Sequence, residues 1–179
     1  QNEVVVRLFD LREQRMADFS RGETKQPKKR FSGVRGVCKA LKAAPASLDF
    51  LAGTTTGELA LWDMELEAPV RRFTIGGDPP VAHTGGVEDV AWRTAESGSF
   101  VSVGNDGALR VWDRRSPNYE AQVQAHTGDV HCAATQGPHE VATGGSDGCV
   151  HFWDLRALAT PMHRLRAQPE GDSVDCLAW

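Results

Sequence analysis

The 179-residue chain lacks most of the features that announce a chemistry. None of its four cysteines, Cys38, Cys132, Cys149 and Cys176, lies in a C-x-x-C pair, so a structural zinc site has little support. Four cysteines in a chain of this length do not make a disulfide framework, and they read as reduced thiols of a nuclear or cytoplasmic protein. No run approaches the roughly 18 apolar residues of a membrane span. The chain begins at Gln1 and its first residues do not form a signal peptide, so it reads as an interior piece or the ordered part of a longer protein. There is no phosphate loop, no nucleophile–base motif and no paired-carboxylate signature, which argues against an enzyme. The net charge of −4 gives no reason to expect direct contact with nucleic acid. With 40% hydrophobic and 25% charged residues, the composition is that of an ordinary folded domain.

What the chain does have is an internal repeat. Trp-Asp occurs at Trp62-Asp63, Trp112-Asp113 and Trp153-Asp154, spaced 50 and 41 residues apart, and Phe9-Asp10 is a weaker copy. Apolar side chains stand one and three positions before each aromatic residue: Leu8 and Val6, Leu61 and Leu59, Val111 and Leu109, Phe152 and Val150. This period of two is that of a β-strand. Upstream of the three tryptophans lie the turns Thr55-Thr56-Gly57, Asn105-Asp106-Gly107 and Ser146-Asp147-Gly148, which suit hairpins that need positive φ. Short apolar strands precede them, at residues 50–53, 100–104 and 140–144. Further back, His83-Thr84-Gly85 and His126-Thr127-Gly128 each lead into another apolar strand. The repeating unit is four short antiparallel strands, and no helix-period segment competes with it.

These residues resemble the WD-repeat family, and the resemblance implies an all-β, partial β-propeller of about three blades with strands of two flanking ones. The expected division is residues 1–15 as the end of a preceding blade, 16–33 as a basic loop insertion, 34–75, 83–125 and 126–166 as blades, and 171–179 as the first strand of a further blade. Three blades do not close a ring, so a longer parent is expected. The basic insertion, with Lys25, Lys28, Lys29 and Arg30, reads as a solvated loop, with a localisation signal or phosphate-contacting patch as the alternative. In the family a His, a Ser or Thr, an Asp and a Trp form a buried hydrogen-bonded chain within a blade. Two blades carry the full set: His83, Ser102, Asp106 and Trp112, then His126, Thr143, Asp147 and Trp153. Burial explains the requirement, since an interior carboxylate and indole N–H need partners. The earlier blade keeps Trp62 but has Ala52 and Thr56 in place of the hydroxyl and the acid. The paired histidines are thereby accounted for, and neither a metal nor a cofactor is expected.

The run from His83 to Trp92, H-T-G-G-V-E-D-V-A-W, resembles the histone-binding WD-repeat proteins, the group of the chromatin assembly factor small subunit and the retinoblastoma-binding histone chaperones. That resemblance implies a non-enzymatic scaffold whose acidic top rim captures a basic peptide. Carried over by position, the rim residues are Glu88, Asp129, His131 and Asp175. The implied partners are histones or chromatin-complex subunits, with neither a small-molecule substrate nor a membrane. The alternative is an architectural WD-repeat subunit of a larger assembly, such as a ribosome-biogenesis factor or, more distantly, a peroxisomal import receptor.

Overall fold

The computed structural model describes residues 3–8, 29–66, 68–94, 98–167 and 172–179, with side chains from residue 33 onward. Among them every regular element is a strand. Strand β1 (Glu3–Leu8) pairs antiparallel with β2 (Lys29–Arg35). Beyond this pair come three four-stranded antiparallel sheets. The first holds β3 (Cys38–Ala43), β4 (Asp49–Thr54), β5 (Leu59–Asp63) and β6 (Pro69–Phe73). The second holds β7 (Val87–Trp92), β8 (Ser99–Gly104), β9 (Ala108–Asp113) and β10 (Tyr119–Gln124). The third holds β11 (Val130–Gln136), β12 (Glu140–Gly145), β13 (Cys149–Asp154) and β14 (His163–Arg166). Within each sheet neighbours in sequence are neighbours in space, as short hairpin connections require. This is the architecture of a partial β-propeller.

Two expectations need correction. Residues 29–33, assigned to a loop, belong to β2. Their polar sequence hid a strand that owes its place to pairing with β1, where Val6 faces Phe31 and Arg7 faces Arg30. Residues 172–179 form no strand; the amide of Val174 bonds to Gly145 O, but no described strand lies alongside to form a ladder. Phe9-Asp10 and residues 16–28 lie outside the described residues.

The strands β3, β7 and β11 contact one another from sheet to sheet, so they line the hub. The middle strands are buried on both faces, which is why β8 and β9 read as nearly continuous apolar runs. Trp112 fills the gap toward the first sheet, among Leu59, Phe73 and Phe100, and Trp153 packs toward the second, among Val101, Val103 and Leu109. The alternation seen in sequence is therefore an alternation between two blade interfaces.

The sheets are also clasped by polar bonds. The amides of Ala82 and Ala125 donate to Gly57 O and Gly107 O, and that of Ala167 to Gly148 O. Each clasp ties the turn of one blade to the segment leading out of its fourth strand. Gly57 and Gly107 have φ of +81° and +72°, and a Cβ on Gly57 would stand 2.1 Å from His83 O. Between the second and third sheets, Asp89 Oδ2 accepts from Ala133 N (3.1 Å) and Thr135 Oγ1 donates to Trp92 O (2.7 Å).

Candidate functional site: the hub rim and the chains beneath it

Beneath one end of the hub lie the two buried chains. Trp112 Nε1–H donates to Ser102 Oγ (2.8 Å), and Ser102 Oγ lies 2.7 Å from His83 Nε2. The Asp106 carboxylate on the other side of the ring can only accept, so Nε2 is the acceptor and the serine proton goes to it. Nδ1 must then carry the imidazole proton and donate to Asp106 Oδ1 (2.8 Å). The next blade repeats the order from Trp153 to Thr143 (3.0 Å), His126 (2.9 Å) and Asp147 (2.9 Å). Each aspartate also accepts a backbone amide of its own turn, Ala108 N for Asp106 and Cys149 N for Asp147. The chain thus fixes the turn at the hub's end.

The two blades differ in one residue that composition and spacing did not single out. Arg110, on the Trp112 face of β9, is 6% exposed and donates Nη1 to Asp106 Oδ2 at 2.8 Å. The signal was available: it lies four residues after Asp106 and two before Trp112. At the matching place in β13 stands His151, stacked on His126 with centroids 4.2 Å apart and planes 6° apart, its Nδ1 donating to Ala125 O (2.7 Å). Burial opposes ionisation of Asp106, but the bond from His83 and the guanidinium of Arg110 outweigh it and hold the carboxyl well below the usual range. Asp147 is likewise depressed against the effect of burial, chiefly by the bond from His126. Burial lowers His83, and burial with the neighbouring His126 lowers His151.

His126, Asp147 and His151 bring their ligand atoms within 4.8 Å of one another. They do not suit a metal ion. Lone pairs of parallel stacked rings lie in separate planes and do not converge, and both nitrogens of His126 already serve the chain.

The first sheet replaces the chain with other polar contacts. Ala52 and Ala60 face each other where the hydroxyl and basic residues stand elsewhere, and Phe50 stacks on Trp62. Thr56 Oγ1 lies 2.9 Å from Thr54 Oγ1 and donates to Arg35 O (2.8 Å). Glu58, 5% exposed, is held between Arg35 Nε (2.8 Å) and Arg72 Nη1 (3.1 Å).

Above these chains lies the rim. The register of each hub strand slips at one residue: between Cys38 and Ala40, between Val87 and Asp89, and between Val130 and Cys132. Lys39, Glu88 and His131 are therefore the extra residues of three β-bulges at equivalent positions. A bulge re-aims a side chain and interrupts the ladder. Lys39 bonds both carboxylate oxygens of Glu88 across the blade boundary, with Oε2 at 2.6 Å. Asp129 Oδ2 accepts from Asn105 Nδ2 (2.9 Å), and Asp175 Oδ1 accepts from Ser173 Oγ (2.6 Å). Glu88 and Asp129 are thus brought to one end but already engaged, and Asp175 lies in the non-strand segment. Sequence reasoning placed Lys39 or Cys38 at the rim position of the degraded blade but passed over the pairing of Lys39 with Glu88, because the two residues lie in successive repeats. It also passed over Asp89, whose carboxyl burial raises above the ordinary range while it accepts Val90 N and Ala133 N. Asp113 and Asp154, the acids of the Trp-Asp doublets, turn instead to Arg115 and Arg156 two residues on, at 2.5 and 2.7 Å.

The WD domain, G-beta repeat family matches residues 77–113 and 118–154. Each match spans the length of a blade and ends on a Trp-Asp doublet. The fold is that of a partial WD-repeat β-propeller, and the repeats support a role as a protein-interaction scaffold.

Proposed function

We propose that the hub rim captures a basic peptide, with a histone tail as the partner, within a chromatin-assembly scaffold. The observation that carries this reading is the set of bulges at equivalent positions, which present Lys39, Glu88 and His131 at one end of the hub with Asp129 beside them. Carboxylates at such a rim attract ammonium and guanidinium groups through charge-assisted hydrogen bonds. The likeness of residues 83–92 to the histone-binding group supports the choice of partner. Each partly exposed rim charge is worth about 0.5–1 kcal/mol, so affinity depends on several acting together.

The test is titration of a fluorescent histone-tail peptide into the full-length protein and into Glu88→Lys with Asp129→Lys. The wild type should bind, more weakly as salt rises, and the double variant should not. Equal affinity in both would remove the rim from the interface.

A second reading, an architectural subunit of a larger assembly, is favoured by the engagement of Glu88 with Lys39 and of Asp129 with Asn105. It predicts no peptide binding, and recovery of assembly subunits rather than histones on co-purification.

A further inference from the structure

We infer that Asn105 is a positioning residue for the rim, holding one carboxylate oxygen of Asp129 so that the other is left for a cationic group of the ligand. The inference rests on the basic-peptide reading above. Asn105 opens the turn whose next residue, Asp106, ends the buried chain of the second sheet, and its amide donates to Gly86 O (3.0 Å). From there its side chain crosses the blade boundary, and Nδ2 donates to Asp129 Oδ2 at 2.9 Å. Glycines clear the space for this reach: a Cβ on Gly85 would stand 2.8 Å from Asn105 Cβ, and one on Gly86 would stand 2.6 Å from Asn105 Oδ1. The matching residues of the other two turns bond within their own blades. Thr55 Oγ1 accepts Val37 N (3.0 Å), and the amide of Ser146 donates to Asp129 O (2.9 Å). Asp129 is thus held by its main chain from its own blade and by its side chain from the preceding one.

A neutral amide fixes a carboxylate without balancing its charge. Glu88 stands differently, with both oxygens bonded to the Lys39 ammonium and only 10% of its side chain exposed. Asp129 is partly exposed, and its Oδ1 has no hydrogen-bond partner among the described residues. Of the two acids, Asp129 is therefore the one with an oxygen ready for a charge-assisted bond to an ammonium or guanidinium. Its side chain is also ordered before the ligand arrives, so binding does not have to pay for immobilising it. Loss of the Asn105 amide should accordingly weaken binding even though no formal charge changes.

The test titrates a fluorescent histone-tail peptide into the full-length protein, Asn105→Ser, Asp129→Asn and the double variant, with thermal melts to confirm folding of each. Serine is the residue that the matching turn of the third sheet carries at Ser146, so the turn accepts it. Asp129→Asn should weaken binding about fivefold, as the loss of one partly exposed charge does. Asn105→Ser keeps the net charge and should weaken binding about threefold. In the double variant Asn105→Ser should add nothing to the loss from Asp129→Asn, because no carboxylate is left to aim. If Asn105→Ser binds at least as tightly as the wild type, or costs the same in both backgrounds, the positioning role is overturned while the rim remains a binding site. Wild-type affinity in Asp129→Asn overturns the inference by taking Asp129 out of the interface. Failure of the peptide to bind any of the proteins overturns it together with the basic-peptide reading.

Discussion

Asp106 and Asp147 occupy equivalent places, yet their removal should have unequal consequences. Asp147→Ala leaves the Nδ1–H of His126 and the amide of Cys149 without their acceptor. A buried donor stripped of its partner costs about 1–3 kcal/mol. Asp106→Ala strands His83 and Ala108 N in the same way, and Thr84 N as well. It also leaves the guanidinium of Arg110, whose side chain is 8% exposed, beside a histidine with no carboxylate to balance it. Breaking a buried ion pair from one side costs about 3–5 kcal/mol. The two variants should thus differ by about 2 kcal/mol, which at a urea m-value of about 1–3 kcal/mol/M separates their midpoints by roughly 1 M. Urea melts followed by tryptophan fluorescence read this directly, since Trp112 and Trp153 end the two chains. Adding Arg110→Met to Asp106→Ala should recover most of the difference, because the uncompensated charge is then gone. Midpoints that coincide for the single variants, or no recovery in the double variant, would refute the idea that Arg110 depends on Asp106.

The same geometry sets other expectations. Thr56→Ala should cost about 1 kcal/mol, since it removes the bonds of one exposed residue's hydroxyl, to Thr54 Oγ1 and Arg35 O, in a blade without the buried chain. Gly57→Ala and Gly137→Ala both place a Cβ at positive φ, at +81° and +63°. Gly137 has nothing within 4 Å, so only the backbone penalty of about 1–2 kcal/mol applies, whereas Gly57→Ala must also displace His83 O and should melt far lower. Stability should fall as pH drops below about 6.5, the ordinary histidine value. His83 and His151 are depressed on folding, so in that range the unfolded chain binds more protons and acid favours it. The full contribution is present above that pH, and His151→Phe should flatten the slope of melting temperature against pH between 7 and 5. The depressed Asp106 and Asp147 add a second decline, beginning as pH falls through about 4 and continuing toward their folded values.

The blades were legible because a propeller repeats its punctuation. Trp-Asp doublets, turn glycines and period-two runs mark each hairpin, and the members of each buried chain keep fixed offsets within one repeat. What escaped notice lies between repeats. Lys39 meets Glu88, Asn105 meets Asp129, and Asp89 meets the amide of Ala133, each across a blade boundary that no within-repeat spacing records. The bulges were equally hidden, since one extra residue in a strand leaves the apolar pattern almost intact. Residues 29–33 were misread for a related reason. A polar outer strand needs no hydrophobic signal when its neighbour supplies the ladder, and β14, exposed along its length, shows the same economy.

The clasp at Gly57, Gly107 and Gly148 also determines where this molecule can grow. Trp62 is followed by His83 after 21 residues, but Trp112 by His126 after only 14. The surplus falls between the end of β6 and Ala82, where Ile75 N bonds to Val81 O and closes a loop on itself. Both ends of that excursion are pinned, one by the sheet and the other by the glycine carbonyl, so its length is invisible to the blades on either side. Gly76 has nothing within 4 Å of a Cβ built on it, and residues 76–79 are exposed. The propeller thus separates a metrical part, where a single added residue shifts the register, from places where sequence can accumulate freely. A reporter peptide spliced after Gly77 should leave the blades, the buried chains and the rim undisturbed.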